Sequence, residues 1–320
     1  FAHLQKIPVI ATMQAAGLMD SDDSLYLYNT GLDGAPKANN AIKDCDLLLC
    51  FGVRFSNYTI LDSQNFAPNA KIVNINIKED EINRVIKSDI AIVADAKDVL
   101  KALNNYPVIK DFSPWLNLID TWDNQNLSYP KSGLNEPIYP HDIVEAIKKV
   151  TKQEAIVVPG TGQITSITAM LYRPKGDRLL LFPGGFASMG GALPIGMGAK
   201  LACPDKQVIV LDGDGSIQMN IQELATVFIE KIDIKIVINH NNCLGQVKRV
   251  ENIDYAGDHL MSDLNKGIQE YYPDFAKIAE SYGIPSTTVT QVKDLEPALQ
   301  KMLRHKGAFI VECHTLVYEI

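Results

Sequence analysis

The amino-acid sequence predicts an α/β protein with two doubly wound domains, each built on a parallel sheet. Its 320 residues are enough for about two domains of ~150 residues each. Short, continuously apolar runs alternate with helical patterns in both halves, which is typical of parallel strands covered by helices on both faces. A stretch of about 35 residues rich in proline, asparagine and aromatic residues separates the halves, and it is long for a loop inside one domain. We therefore expect a first domain over 1–105, a connector over 106–140 and a second domain over 141–320.

Four strands and two helices are expected in the first half, and they alternate along the chain. The strands are short runs rich in valine, isoleucine and leucine, and the helices are the longer stretches between them. We predict strands at 8–12, 46–51, 71–77 and 90–94, and helices at 35–43 and 96–103. Within the connector only 114–122 has a weak helical pattern.

The second half repeats this alternation and predicts a sheet of at least five strands. Its clearest helix covers 217–230, because Ile221, Leu224, Ala225 and Phe228 follow the i, i+3, i+4, i+7 spacing of one helical face. A further helix is predicted at 142–150. The predicted strands are 155–158, 179–182, 208–211, 234–238 and 309–312.

Composition and charge exclude several classes of protein. Thirty basic residues against 38 acidic ones give a net charge of −8, so we expect no nucleic-acid partner. No apolar run approaches the ~20 residues that span a bilayer, so we expect no membrane segment. The five cysteines form no CxxC pair, which favours reduced thiols and a cytoplasmic location. The chain starts at Phe1 without an initiator methionine or a signal-peptide pattern, so we expect a chain that begins within a longer protein.

The most informative segment is Gly-Asp-Gly-Ser at 213–216, which follows a buried strand. The carboxyl edge of a parallel sheet is where such folds place their ligands. Gly215 and Ser216 begin the next helix, whose free N–H groups favour phosphate, and Asp214 offers an oxygen ligand for Mg²⁺. The next strand brings Asn241 and Asn242 to the same edge. Taken alone, the motif is equally consistent with a simple strand-to-helix turn in which Ser216 is the N-cap.

The spacing between these motifs adds a resemblance to a known family. Gly-Asp-Gly, 25 intervening residues and Asn-Asn resemble the signature of thiamine-diphosphate enzymes, and the sequence around it resembles the acetolactate synthase branch. The resemblance covers nearly the whole chain. It implies a central Rossmann-like domain followed by a thiamine-diphosphate-binding domain. Matching segments are found at 31–34, 45–48, 52–55, 67–71, 160–163, 184–190, 193–196, 273–279 and 282–283.

The resemblance implies a set of residues that bind the cofactor and its metal. Mg²⁺ would be held by Asp214, by the side chain of Asn241 and by the backbone carbonyl of Cys243, while His240 replaces the first asparagine of the usual pair. Met189 matches the bulky apolar residue under the cofactor, although core packing is the plain alternative. Cys243 could instead be a reactive thiol, but no basic residue adjoins it in sequence. The remaining cofactor-binding residues are Gly162, Gln163, Ala187, Gly215, Ser216 and Gly245.

For a second cofactor, FAD, some positions match the family pattern and others do not. True acetolactate synthases bind FAD in the central domain. Arg54 and the pair at 95–96 match that pattern. Four other positions depart from it: Asp33, Ser56, Tyr58 and Asn76. Taken together, the matches and the departures weigh slightly against FAD.

The function implied is a Mg²⁺-dependent carboligase or decarboxylase that takes a two-carbon unit from pyruvate or a similar 2-keto acid. The family's catalytic glutamate lies on an N-terminal domain outside this chain, so we expect the chain alone to be inactive and the intact protein to be a homodimer or homotetramer. The alternatives are a non-catalytic cofactor-binding homologue and a different 2-keto acid decarboxylase. An NAD-dependent dehydrogenase is disfavoured, because the glycine pairs at 160–162 and 196–198 lack the third glycine of that fingerprint.

The acceptor side departs from the acetolactate synthase pattern. Gln246 and Val250 stand near the positions where that branch has methionine and tryptophan. A site that can pair with hydroxyl or carbonyl groups discriminates strongly against analogues that lack them. We therefore expect an acceptor more polar or bulkier than pyruvate or 2-ketobutyrate.

Overall fold

A computed structural model of the chain describes residues 1–32, 34–60, 62–106, 110–122, 129–175, 179–255, 262–264 and 270–317. The chain divides into two compact units, Phe1–Leu127 and Ser128–Ile320. All pairings between the named strands of both units are parallel. The predicted α/β fold class with parallel sheets is therefore confirmed.

The first unit contains a pair of parallel strands and a separate three-stranded parallel sheet. The pair is β1–β2, and the sheet has the order β3-β4-β5. Two small apolar clusters form its core, one around Ile42, Phe55 and Ile72 and one around Leu27 and Ala38. The elements are α1 (Ala2–Gln5), β1 (Val9–Ala11), β2 (Tyr26–Asn29), α2 (Pro36–Asp44), β3 (Leu47–Phe51), β4 (Lys71–Asn76), β5 (Ile90–Val93), α3 (Ala96–Leu103) and α4 (Ser113–Thr121).

The four strands and two helices predicted for this unit are present within a residue or two of the expected bounds. Helix α3 begins where the sequence indicates, because the carboxylate of Asp95 accepts the N–H of Lys97 at 2.8 Å and caps it. Strand β2 was missed. Its four residues, Tyr-Leu-Tyr-Asn, contain no β-branched side chain, and a four-residue run carries little periodic signal.

Helix α4 lies inside the stretch expected to be a connector. Its Ile119 is 1% exposed and packs with Leu27 and Ala38 of the first unit. This part of the stretch therefore adds a packed helix to the first unit, and the division between the two units falls beyond it.

The second unit is a five-stranded parallel sheet with the order β6-β7-β8-β10-β9. β7 and β8 lie inside the sheet and are buried almost throughout, as their mainly apolar sequences predict. The elements are α5 (Pro140–Thr151), β6 (Ile156–Pro159), α6 (Gln163–Leu171), α7 (Ala192–Ala202), β7 (Val208–Gly213), α8 (Asp214–Ile217), α9 (Leu224–Ile229), β8 (Lys235–His240), α10 (Gly245–Asp254), α11 (Phe275–Ser281), β9 (Ser286–Val289), α12 (Val292–Arg304) and β10 (Phe309–His314).

Two predictions for this unit were wrong. The segment 179–182 makes only an isolated bridge, between Leu180 and Val157, because Pro183 follows and cannot donate to a ladder. The expected helix at 217–230 is broken at Asn220, whose backbone is not helical and whose side-chain amide donates to the carbonyl of Gly190 at 3.1 Å. Asparagine side chains often favour such contacts over a helical turn.

None of the helices in the described ranges combines the length and the apolar character that crossing a membrane requires.

Candidate functional site

The candidate site lies where three neighbouring strands of the second unit end. β6, β7 and β8 are adjacent and parallel, so the turns that follow them meet at one edge of the sheet. These turns carry Gly162 and Gln163 after β6, Asp214 to Ser216 after β7, and Asn241 to Gly245 after β8. The sheet order thus brings together segments that are up to 85 residues apart in sequence, 160 to 245.

Asp214 is a buried carboxylate at the centre of this edge. Only 2% of the residue is exposed. One carboxylate oxygen, Oδ2, accepts the backbone N–H groups of Asn241 at 3.1 Å and Asn242 at 2.6 Å, while Oδ1 accepts the N–H of Gly215 at 2.8 Å. Asp214 therefore ties the turn after β7 to the turn after β8.

The burial of Asp214 raises its pKa to about 6, although the nearby His240 and three backbone N–H donors work in the opposite direction. Asp212, two residues earlier, is fully buried, and burial raises its pKa to about 7. A bound cation would stabilise the ionised form of such buried carboxylates. The electrostatics therefore suit a positive ion at this edge.

Glycines line the space beside Asp214, and at two of them an added Cβ would press on a neighbouring side chain. A Cβ on Gly245 would lie 2.9 Å from Oε1 of Gln163 and 3.4 Å from Nδ2 of Asn241. A Cβ on Gly215 would lie 2.7 Å from Leu244. Gly162 has a φ of +145°, a backbone conformation that residues other than glycine rarely adopt. The backbone can therefore approach a ligand closely from three turns.

The N-terminus of α10 offers donors to an anion. Its N-cap residue, Leu244, has no side chain that could cap the helix. Among the described residues no acceptor meets the N–H groups of Gly245, Gln246 and Val247. The unfilled N–H groups and the helix dipole favour an anion at this end.

A loop before α7 closes the same edge. The N–H of Gly190 donates to Oγ of Ser216 at 2.9 Å, and the hydroxyl of Thr161 donates to the carbonyl of Ser188 at 3.1 Å. Met189 is half-buried, and its terminal methyl lies 3.5 Å from the point where a Cβ on Gly215 would stand. Ala187, in the same loop, has a left-handed φ of 53°.

The expected metal ligands lie side by side, but the side-chain amide of Asn241 is already hydrogen-bonded within the loop. Asn241 is 6% exposed, and its Oδ1 accepts the N–H of Cys243 at 3.1 Å. Cys243 itself is buried. The three expected ligands, Asp214, Asn241 and the Cys243 backbone, thus belong to one hydrogen-bonded loop.

A buried polar cluster behind this loop was not foreseen in the sequence. His240 and Glu312 are 0% and 1% exposed, and Nδ1 of His240 lies 2.7 Å from Oε1 of Glu312. Burial works to raise the pKa of Glu312, but hydrogen bonds and charge from His240 and His314 outweigh it and lower the pKa to about 2. The signal that could have revealed it is the glutamate inside the otherwise apolar run Phe-Ile-Val-Glu-Cys at 309–313 in β10.

The first unit has a comparable turn between β2 and α2, in which Asn39 pairs with polar groups of Thr30 and Gly31. The N–H of Gly31 and the hydroxyl of Thr30 both donate to Oδ1 of Asn39, and the Asn39 amide donates to the Gly31 carbonyl. Asp33, one of the positions considered for FAD, lies outside the described residues. Another of those positions, Asn76, donates to the carbonyl of Val53 at 3.4 Å.

The arrangement in the second unit fits a divalent cation with a diphosphate. The fit rests on a buried carboxylate that lacks a fully compensating charge, on glycines whose added Cβ would collide, and on an uncapped helix N-terminus.

Comparison with known families gives two matches. The family described as "Thiamine pyrophosphate enzyme, C-terminal TPP binding domain" matches residues 160–313. The family described as "Thiamine pyrophosphate enzyme, central domain" matches residues 1–103. The two matches follow one another along the chain and fall in the second and first units, respectively.

Curated relatives carry the same name in plants and bacteria. Acetolactate synthase 1, chloroplastic, from Oryza sativa subsp. japonica is 36% identical over 98% of this chain and 50% of its own length. The acetolactate synthase large subunit of Haemophilus influenzae is 34% identical over 97% of the chain and 54% of its own length. The large subunit from Buchnera aphidicola is 35% identical over 94% of the chain and 53% of its own length. The chain therefore spans about half the length of these relatives.

Proposed function

The chain belongs to the thiamine pyrophosphate enzymes, with the central and C-terminal domains of that family, and we propose that it is part of an acetolactate synthase-like carboligase. The enzyme would decarboxylate pyruvate or a similar 2-keto acid and transfer the two-carbon unit to an acceptor carbonyl. It would require thiamine diphosphate, the same cofactor as thiamine pyrophosphate, together with Mg²⁺.

One observation carries the proposal: the buried Asp214 carboxylate lies beside the uncapped N-terminus of α10. The two features offer a cation ligand and anion donors at one edge of the sheet. A Mg²⁺ ion usually bridges protein carboxylates and substrate phosphates. A metal–diphosphate pair satisfies both features at once, whereas a free phosphate would leave the carboxylate uncompensated.

In this proposal each named residue has a defined role. Asp214, the Asn241 amide oxygen and the Cys243 carbonyl hold Mg²⁺. The N–H groups of Gly245 and its helical neighbours, together with Gln163 and the turn at Gly162, hold the diphosphate. Gly215 and Ser216 continue this surface after β7.

Met189 and Ala187 would line the cofactor from the loop before α7. The position of the Met189 methyl close to Gly215 supports a packing role against the bound cofactor. Thiamine diphosphate, when bound, supplies the carbanion that attacks the ketone and accepts the electrons of decarboxylation. The protein residues described above bind and orient it.

The substrate of the acceptor step is proposed from Gln246. Its Oε1 is buried and has no hydrogen-bond partner among the described residues. A buried acceptor atom without a partner favours a ligand that can donate to it. This supports an acceptor with a hydroxyl group, bulkier or more polar than pyruvate.

The properties of the whole protein are proposals that extend beyond these two units. We propose a homodimer or homotetramer that acts on 2-keto acids in the cytoplasm, with the location argued from the odd number of cysteines and the lack of CxxC pairs. FAD is not part of the proposal, because the N–H of Gly31 and the hydroxyl of Thr30 in the β2–α2 turn already donate to Asn39.

The test is release of labelled CO₂ from pyruvate and a panel of other 2-keto acids by the intact enzyme. We expect release that requires both thiamine diphosphate and Mg²⁺. Cofactor binding without CO₂ release from any member of the panel would favour the non-catalytic homologue. Release from a 2-keto acid without any ligated product would favour a simple decarboxylase.

A further inference from the structure

We infer that Glu312, His240 and Asn242 form a hydrogen-bonded relay that positions the metal-binding loop. The relay begins on β10, crosses to the end of β8 and reaches the loop that contains Asn241 and Cys243. The inference rests on the proposed function, because it assigns a role toward the metal that the loop would hold.

His240 is the centre of the relay, and both of its ring nitrogens are occupied. Nδ1 lies 2.7 Å from Oε1 of Glu312, and Nε2 lies 3.0 Å from Oδ1 of Asn242. The rings of Tyr271 and Phe275 pack edge-on against it at 5.1 and 5.0 Å. The imidazole therefore has one defined orientation, which the shorter side chain of asparagine could not reproduce at both ends.

Glu312 is fixed independently of His240. Its carboxylate accepts the N–H groups of Phe275 at 3.4 Å and Ala276 at 3.1 Å, and the hydroxyl of Thr288 at 3.4 Å. It is therefore anchored to β9 and α11 as well as to its own strand. An anchor held by several elements can transmit its position to the histidine.

Asn242 connects the relay to the metal ligands. Its backbone N–H donates to Oδ2 of Asp214 at 2.6 Å, and its side chain also accepts the N–H of Tyr272 at 3.2 Å and donates to the carbonyl of Glu270 at 3.2 Å. These last two contacts fix which end of the amide is oxygen, so Oδ1 faces His240. Asn242 has a left-handed φ of 57°. In residues other than glycine this conformation costs energy, and it persists only where surrounding contacts hold it.

The relay therefore holds the strained residue that lies between two expected ligands, Asn241 and Cys243. Residues that orient metal ligands without touching the metal commonly change metal affinity by about 10- to 100-fold when they are replaced. Glu312 and His240 are positioning residues in this sense. Neither is proposed to contact the metal or the substrate.

The experiment measures Mn²⁺ binding to the intact enzyme in the presence of thiamine diphosphate, from the paramagnetic resonance signal of the free ion. The variants are Glu312→Gln, His240→Asn and the double variant. The matched control is His141→Asn, because His141 is also fully buried in the second unit but stacks on Tyr129. Thermal unfolding without metal is recorded for each protein.

We expect each single variant to weaken Mn²⁺ binding by about tenfold. The double variant should bind Mn²⁺ no more weakly than the more affected single variant, because both substitutions break one relay. The control should stay within about twofold of wild type even if it unfolds at a lower temperature.

Unchanged Mn²⁺ affinity in the single variants would overturn the relay. So would losses that multiply in the double variant, since they indicate that the two residues act independently. An equal loss in His141→Asn would also overturn it, because it indicates general damage to the fold. A wild-type enzyme that does not retain Mn²⁺ with thiamine diphosphate would refute the proposed function itself, and the relay with it.

Discussion

Two turns of this protein have the same place in their folds, but their backbone polar groups have different hydrogen-bond partners. The β2–α2 turn of the first unit and the β8–α10 turn of the second each follow a parallel strand and lead into a helix. In the first, the Asn39 side chain accepts from Gly31 and donates back to it. In the second, the N–H groups of Gly245 to Val247 meet no acceptor among the described residues.

The difference teaches how the same local geometry can serve stability or binding. A helix N-terminus is a potential anion site wherever it occurs. In the first unit Asn39 pairs with Thr30 and Gly31 of the turn, whereas in the second unit the first N–H groups of α10 meet no acceptor among the described residues.

The largest expected effect is on the second turn. In wild type, thiamine diphosphate with Mg²⁺ at 100 times its Kd should stabilise the protein by about 2.7 kcal/mol. Asp214→Ala should abolish this stabilisation, because it removes the carboxylate that joins the turns after β7 and β8. The measurement is thermal unfolding with and without the cofactor. A shift of wild-type size in the variant would contradict the proposed metal site.

The next effect concerns the first turn. Asn39→Ala should lower the free energy of unfolding by about 1–3 kcal/mol, because it leaves buried backbone groups of Gly31 without partners. Cofactor-induced stabilisation should not change. Urea denaturation measures the loss, and the exposed Asn65 provides a control by Asn65→Ala. Loss of the cofactor shift in Asn39→Ala would break the comparison between the two turns.

A smaller effect tests the close approach of the backbone at Gly245. The Cβ of Gly245→Ala would press on Gln163 and Asn241. We expect the Kd for thiamine diphosphate to rise about tenfold, equivalent to ~1.4 kcal/mol. Isothermal titration measures it.

The matched control for that variant is Gly198→Ala in α7, where an added Cβ meets nothing within 4 Å. Cofactor affinity should be unchanged there. Stability should rise by up to about 1 kcal/mol, because alanine is the better helix former. Equal affinity in the two variants would show that the diphosphate does not approach Gly245.

The smallest effect is on the acceptor. Gln246→Met should shift product ratios by about threefold toward acetolactate, a change below 1 kcal/mol, because it removes the buried oxygen that a hydroxylated acceptor would satisfy. A competition assay with pyruvate as donor and several acceptors measures the ratios. The polar pocket would be refuted if acetolactate dominates in wild type and Gln246→Met leaves the product ratios unaltered.

Strands and helices with strong periodic patterns could be predicted from the sequence. β7 and β8 are mainly apolar because both faces are buried, and α3 is bounded by a recognisable cap at Asp95. The failures have local causes. Pro183 ends a strand pattern early, and Asn220 breaks a helix whose apolar spacing is intact, because its side chain finds a partner at Gly190.

The sequence by itself determined the fold class, the family resemblance and the motif that places Asp214, Gly215 and Asn241 at one sheet edge. These follow from strand periodicity and from short spacings, which local chemistry controls. Only the tertiary structure decided which donors are left for a ligand, as at Gly245, and which are closed by the protein itself, as at Gly31. It also decided that Glu312 meets His240, because that pairing of residues 72 positions apart depends on β10 lying beside β8.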